Sequence, residues 1–229
     1  MKEQLKTLSP VTLNEHQLDL LEKLYKNMIQ YNAHTNLTSI TKEIDVIVKH
    51  FIDSVWILKD QPFNKHATIL DVGTGPGYPG IPLKILEPTL KMTLLDSNIK
   101  KVQYLEHVVS ELELNNTDIA YERAEEHAKK NLNHYDIIVS RATASMSVLL
   151  EICIPMLREN GLLYLYVTPQ QISSENIMNA LKILKTTTYG KFDFDLPLDY
   201  GKRSIMVFKK QKHVIGYPRP YATILKKGL

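Results

Sequence analysis

Apolar positions recur at three- and four-residue steps through the first 65 residues, and this spacing predicts helices. Thr12 and Glu15 have the Thr-x-x-Glu spacing of a capping box, which would open a helix with Leu18, Leu21, Tyr25 and Met28 as its apolar stripe. A polar stretch, Tyr31 to Thr38, breaks that pattern. A second helical pattern follows from about Lys42 to Leu58, with Ile44, Ile47, Val48, Phe51, Val55 and Leu58 on one face. From Ala67 the texture changes to short apolar runs. Thr68–Val72, Met92–Leu95, Asp118–Tyr121, Asp136–Ser140 and Leu162–Val167 read as strands. Helical patterns near 80–87, 98–113, 124–131 and 145–159 lie between and after them. A further helix near 174–186 leads to strands near 188–195 and 204–209. Strand–helix alternation at this spacing predicts an α/β fold with a parallel sheet covered on both faces. The last two strands have no helix between them and should form an antiparallel hairpin at the sheet edge. The expected organisation is a helical cap over 1–65, an α/β body over 66–215 and a basic tail over 216–229.

Composition narrows the class. The chain has 229 residues, 44% hydrophobic and 23% charged, which suits a globular protein and excludes wholesale disorder. A single cysteine, Cys153, excludes an intramolecular disulfide and a Cys-rich zinc site. The eight histidines are scattered, with no pair at metal-ligand spacing, so no metal is expected. No apolar run approaches the roughly 18 residues a membrane span requires, and MKEQLKTLSP lacks a signal-type apolar segment. The expectation is a cytoplasmic protein. The net charge of +3 is unevenly spread. From Tyr200 onward there are eight Lys and Arg and no acid, leaving 20 basic against 25 acidic residues elsewhere. Such segregation marks either a polyanion contact or a solvated terminus.

The strongest local signal is Asp71-Val-Gly73-Thr-Gly75-Pro-Gly77-Tyr78-Pro-Gly80, after the first strand and before a helix. Its glycines allow a tight turn and close approach of a ligand. Gly75-x-Gly77-x-x-Gly80 matches the dinucleotide fingerprint literally, which by itself is a weak signal. Pro76, Pro79 and Pro82 remove the N–H donors a pyrophosphate would need, and Asp71 would repel phosphate. A nucleoside bearing positive charge fits better, and S-adenosylmethionine has that character. Asp96 ends the next strand, about 20 residues on, where a carboxylate meets ribose hydroxyls. Asp71 and Asp96 would then flank one crevice. Arg123-Ala124-Glu125 and Ser140-Arg141-Ala142 follow the third and fourth strands, where ligand-facing loops belong, or where capping and ion pairing would suffice.

With these motifs the sequence resembles the bacterial 16S ribosomal RNA guanine-N7 methyltransferases, also known as glucose-inhibited division protein B or methyltransferase G. The likeness rests on Asp71 to Leu83, Leu95-Asp-Ser97, Lys100-Lys101, Arg123-Ala-Glu125 and Ser140-Arg-Ala142. Tyr31-Asn32, Asn36-Leu-Thr-x-Ile40, His50-x-x-Asp-Ser54, Leu196-Pro197, Arg203 to Val207 and Tyr217-Pro-Arg219 extend it over about 25–219. Val167-Thr168 replaces the Lys-Gly of many members, and Tyr221 to Leu225 departs from the Gly- and Pro-containing tail. The resemblance implies a class I S-adenosylmethionine-dependent methyltransferase fold, Rossmann-like, with a seven-stranded, mostly parallel sheet and an antiparallel edge hairpin. It implies S-adenosylmethionine as cofactor, with contacts at Gly73, Tyr78, Ala124, Glu125 and Arg141. Gly75, Gly77 and Asp96 join them from the loop argument. The implied partner is small-subunit ribosomal RNA, free or in the assembled subunit.

Guanine N7 has an in-plane lone pair and no proton, so transfer to it needs positioning rather than a base. This agrees with the lack of any acid–base constellation. The fourth strand ends in Ser140-Arg-Ala-Thr143 and not in the Asn/Asp-Pro-Pro-aromatic of amine methylation, and Cys153 lies in an apolar helical pattern, where it should be core. The target base must be unpaired or splayed out of the RNA helix to reach the methyl group. Tyr78 could pack on base or cofactor, and Arg141 could hold the guanine or the cofactor carboxylate; these two are the catalytic candidates. Asn32 and Asn36 read as base-edge contacts or as a turn. Lys100, Lys101, Arg203 and Arg219 are candidate phosphate contacts. His50 reads as a packing or capping residue. The alternatives are a cofactor-binding RNA module without turnover and a methyltransferase for a protein or small molecule.

Overall fold

A computed structural model describes the chain except for Ala142, Glu175 and Asn176 and the side chains of Ser173 and Ser174. The N-terminal helices are α1 (Lys2–Leu8), α2 (Glu15–Thr35) and a nearly continuous run of α3 (Glu43–Val46), a π-helical segment (Ile47–Ile52), α4 (Asp53–Val55) and α5 (Ile57–Asp60). The body follows as β1 (Thr68–Val72), α6 (Gly80–Leu86), β2 (Lys91–Asp96), α7 (Ile99–Glu111), β3 (Thr117–Tyr121), α8 (Ala124–Lys130), β4 (Tyr135–Arg141) and α9 (Met146–Cys153). It continues with β5 (Leu157–Val167), α10 (Pro169–Ser174), α11 (Met178–Ile183), β6 (Thr186–Asp195), β7 (Lys202–Lys210) and α12 (Tyr221–Lys226). The seven strands form one sheet in the order β3-β2-β1-β4-β5-β7-β6. The first five run parallel; β7 pairs antiparallel with both β5 and β6. The strand order reverses beside β1, the switch point where open α/β sheets leave a crevice.

All seven expected strands are present, and the differences lie at element ends. α2 begins at Asn14, not Thr12: the Asn14 side chain accepts from Gln17 N at 2.9 Å and Gln17 Oε1 accepts from Asn14 N at 2.9 Å. Asn is as good an N-cap as Thr, and the helix buries Leu18, Leu21, Leu24 and Met28, with Leu24 on the buried stripe in place of the expected Tyr25. The first part of the polar stretch expected to break this helix, Tyr31 to Thr35, is its partly buried last turn; the helix stops only at Asn36, in the left-handed region at φ 52°. The helix expected to reach 159 ends in a 3-10 turn over Ile154–Met156 that contains Pro155, because Leu157 already pairs with Tyr135. β5 is therefore 11 residues long, with exposed Arg158, Glu159 and Asn160 between its two paired stretches. The helix expected at 174–186 is α10 and α11, with 175 and 176 outside the described residues.

Two hydrophobic clusters sandwich the sheet. One joins Leu18, Met28, Phe51 and Ile52 of the N-terminal helices to Ile69, Leu94, Tyr164 and Val207 of the strands. The helical cap thus shares a core with the body. The other joins Leu70, Ile138 and Leu163 to α9 and to Ile224 of α12, with Tyr217 and Tyr221 packed against it. Cys153 is fully buried in this second cluster.

Candidate active site

The glycine loop is shaped from beneath by Asp71. Its carboxylate is fully buried, and Oδ2 accepts from Thr74 Oγ1 at 2.6 Å and Gly80 N at 2.7 Å. Burial pushes its pKa up to about 6, against the pull of those two hydrogen bonds. Asp71, expected to flank the crevice, therefore lies under the loop. The reason is chemical: the turn carries N–H and O–H donors that only an inward acceptor can satisfy. Gly77 has φ 94°, and a Cβ there would stand 2.3 Å from Ile81 Cδ1, so it too belongs to the loop's underside. Gly75 differs. Its φ is 61°, but its Cβ would meet nothing closer than Lys101 Nζ at 4.0 Å, because it faces open space.

Asp96 closes the other lip. Its Oδ2 accepts from Gly75 N at 2.9 Å and its Oδ1 from Asn98 N at 2.9 Å, and Lys101 Nζ stands 3.6 Å from Oδ2. The loop and the end of β2 are thereby tied into one rigid edge.

The opposite wall comes from the π-helical segment and the end of β4. Arg141 donates through Nη1 to Lys49 O and Asp53 Oδ2, both at 2.9 Å, and lies 3.2 Å through Nη2 from His50 Nδ1. A guanidinium only donates, so Nδ1 accepts and the imidazole is neutral with its proton on Nε2. Burial and the neighbouring Arg141 push the His50 pKa down to about 3. The His50 ring stacks on Tyr78 at 4.4 Å and 12°, and Arg141 lies 5.7 Å over the same tyrosine ring. Burial raises the Asp53 pKa, with Arg141 and Arg203 pulling the other way. Asp53 Oδ1 accepts no hydrogen bond among the described residues; Arg203 Nε is 3.8 Å away. A π-helical turn widens the helix by one residue and commonly marks a functional site. Here it carries His50, with Asp53 three positions on.

Between these walls lies a cavity of about 670 Å³, in the range of small-molecule sites. Of the residues singled out from sequence, Gly73, Gly75, Tyr78, Asp96, Ala124, Glu125 and Arg141 line it, and so do Lys101 and Arg203. Gly77, Lys100, Asn32, Asn36 and Arg219 do not. Asn32 and Asn36 make a turn: Asn32 Oδ1 accepts from Thr38 N at 2.9 Å, and Asn36 N donates to Asn32 O. Arg219 is bound to the buried Glu151, Nε to Oε1 at 2.6 Å and Nη2 to Oε2 at 2.7 Å. Lys100 is exposed at the start of α7. Ala142 lies outside the described residues. His50, Asp53, Lys49, Tyr166 and Tyr221 line the cavity without having been assigned to it. The signal for the first two was their i, i+3 spacing, which puts both on one helix face. Tyr221 had no local signal.

The residues fit the expected adenosyl ligand with its cationic sulfur. A glycine without obstruction faces the cavity, an acid at the end of β2 stands at its lip, and Asp53 presents a carboxylate oxygen without a hydrogen-bond donor. Among the described residues no group of three His, Cys, Asp or Glu is placed to hold a metal ion, and no helix is long and apolar enough to cross a membrane.

Comparison with known proteins shows the family to which the chain is similar. The family model described as "rRNA small subunit methyltransferase G" matches residues 17–189. The chain is 38% identical over 223 residues to the ribosomal RNA small subunit methyltransferase G of Acholeplasma laidlawii, covering 96% of this chain and 95% of that protein. It is 38% identical over 220 residues to the Bacillus subtilis protein of the same name, covering 93% and 91%. Among solved structures, the chain is similar to M. jannaschii TYW2 in complex with AdoMet, with a TM-score of 0.52, 17% identity, and 66% and 71% of the two chains covered. It is also similar to TrmN from Thermus thermophilus, with a TM-score of 0.53, 14% identity, and 72% and 53% covered. At such identities these two likenesses concern the fold alone.

Proposed function

The chain belongs to the rRNA small subunit methyltransferase G family, and on that footing we propose that it transfers a methyl group from S-adenosylmethionine to N7 of a guanine in small-subunit ribosomal RNA. A substrate of this kind implies work in the bacterial cytoplasm. The observation that carries the proposal is the rigid edge made by Gly75 and Asp96, open on its cavity side and faced by the Arg141–Asp53–His50 cluster.

When bound, the cofactor supplies an electrophilic methyl group on a positively charged sulfur. Gly73, Gly75, Asp96, Ala124 and Glu125 are the residues that would hold it, with Asp96 directed to the ribose hydroxyls. Lys101 Nζ, 3.6 Å from Asp96 Oδ2, helps to hold that carboxylate in place.

Guanine N7 brings its own lone pair, so no residue has to remove a proton. The site agrees with that demand. His50, with a pKa near 3 and its Nδ1 engaged by Arg141, is a poor base, and its ring instead forms a flat wall with Tyr78. The methylated base becomes cationic. Asp53 offsets the Arg141 charge that would otherwise oppose this, and so lets a guanidinium work as a hydrogen-bond donor beside a base that gains charge. Tyr166, whose hydroxyl donates to Ser54 O at 2.8 Å, fixes the end of β5 against α4 and helps to exclude water. Lys49 and Arg203 at the rim, with Lys100 nearby on α7, are the cations for RNA phosphates.

The test is to map N7-methylguanine in small-subunit ribosomal RNA from cells with and without the gene, and with the gene carrying Asp96→Ala. One guanine that loses the mark in both defective strains is the expected result. An unchanged map, or methyl label entering protein instead, overturns the proposal.

A further inference from the structure

The C-terminal segment reaches the cavity. Tyr221, the first residue of α12, lines it beside Arg123, Ala124 and Glu125, and the Arg123 guanidinium lies 5.2 Å over its ring. A ring at the far end of the chain reaches this place because three features dock the segment there. Arg219 grips the fully buried Glu151 of α9 through Nε and Nη2, and its backbone N donates to the same carboxylate at 3.3 Å. Arg219 Nη2 also donates to Lys227 O at 2.9 Å, which spans α12 from end to end. Ile224, only 1% exposed, seats the helix in the second hydrophobic cluster. A bidentate arginine on a buried carboxylate is a strong, geometrically specific tie.

We propose that this segment is a built wall of the cofactor pocket, in which Tyr221 packs on the adenine ring and Glu151–Arg219 is the latch that holds it there. The inference rests on S-adenosylmethionine being the ligand. With the ribose at Asp96 on β2, the strand order β3-β2-β1-β4 leaves two directions along the sheet edge. The sulfonium must point toward the Arg141 cluster after β4, where the acceptor base enters. The adenine then lies on the β3 side, bounded by the residues that follow β3, and Tyr221 stands with them. A flat, neutral, electron-rich heterocycle is what a tyrosine ring recognises there. Arg123, itself held 3.3 Å from Glu125 Oε1, steadies that ring from its other contact.

Calorimetric titration of the full-length protein with S-adenosylmethionine and with S-adenosylhomocysteine tests this. Tyr221→Leu keeps apolar bulk for docking α12 but removes the ring; both ligands should weaken about tenfold and to the same degree, as expected for loss of one aromatic stacking partner. Tyr221→Phe should restore binding to within about twofold, because the ring and not the hydroxyl makes the contact. Arg219→Gln, with Tyr221 intact, should also weaken both ligands, since the wall loses its latch. Equal affinity in wild type and Tyr221→Leu overturns the inference and leaves the cofactor assignment standing. A loss confined to S-adenosylmethionine would place the ring at the sulfonium and overturn the adenine assignment. No binding by the wild-type protein would remove the cofactor assignment itself. Thermal melts of the unliganded variants separate these results from misfolding, and recovery by Phe is a result that general destabilisation would not give.

Discussion

Arg141 and Asp53 meet at 2.9 Å, although 88 residues separate them and they belong to the end of β4 and to the helical cap. The pair is almost dry, with the Asp53 side chain 6% exposed and that of Arg141 15%. It joins the two halves of the fold where the acceptor base must enter. Asp53→Asn leaves a guanidinium without its counter-charge, and breaking such a pair costs on the order of 3 kcal/mol. Urea unfolding should show that loss. Methyl transfer should fall by about tenfold or more because Arg141 loses its alignment. Affinity for S-adenosylmethionine should fall less than methyl transfer, because the edge made by Gly75 and Asp96 is untouched.

Gly75 and Gly77 are two residues apart and should respond in opposite ways to alanine. At Gly77 the new methyl group collides with Ile81 at 2.3 Å and the backbone sits at φ 94°, so Gly77→Ala should cost about 2 to 4 kcal/mol of stability. At Gly75 the methyl group meets open space, so Gly75→Ala should cost only about 1 kcal/mol, for the left-handed backbone. Its effect should appear instead as weaker cofactor binding, since the methyl group projects into the cavity. Melting curves and calorimetry on both variants check the contrast.

His50 should make the protein acid-labile. Its folded-state pKa, near 3, lies below the ordinary 6.5, so the unfolded chain binds a proton that the folded chain refuses. The stability this represents is complete above pH 6.5 and is lost as pH falls toward 3, a span worth on the order of 5 kcal/mol. Asp71, raised to about 6, acts with the opposite sign between its ordinary 3.8 and 6. The difference between wild type and variant therefore isolates the histidine. His50→Gln retains an acceptor for Arg141 but cannot titrate, and its unfolding free energy should fall less steeply between pH 6 and pH 4. Parallel pH curves would show that His50 is protonated in the folded protein.

Arg219 and Lys100 should separate stability from RNA affinity. Arg219→Gln leaves the buried Glu151 without its cation and should cost on the order of 3 kcal/mol, with no change in the salt dependence of RNA binding. Lys100→Ala should leave stability within about 0.5 kcal/mol of wild type. If it removes one phosphate contact, the slope of log affinity against log salt should become shallower by about 1. Filter binding across a salt series, alongside melts, checks both.

The inner strands β1, β2, β4 and the second half of β5 are legible in the chain because each is a largely apolar run, and burial on both faces of a parallel sheet demands that pattern. Thr68–Val72 is readable to the residue. The start of α2 is not, because Thr12 and Asn14 are both competent caps, and the box that forms is the one between Asn14 and Gln17. The same division runs through the site. Gly75 and Asp96 announce themselves locally, since a turn that admits a ligand needs glycine and the next strand must end in an acceptor. Asp71 carries the same local signal, yet it faces inward to serve the loop's own donors. His50 and Asp53 become a site only when a widened helical turn lies against Arg141. Tyr221 reaches the cavity because Arg219 binds Glu151, buried on a different helix, and Ile224 seats α12 in the second core cluster. Local spacing determines which backbone shapes and donors a segment offers. Which charged groups must neutralise one another is settled by the desolvation of residues far apart in the chain, and that is decided only when the whole core closes.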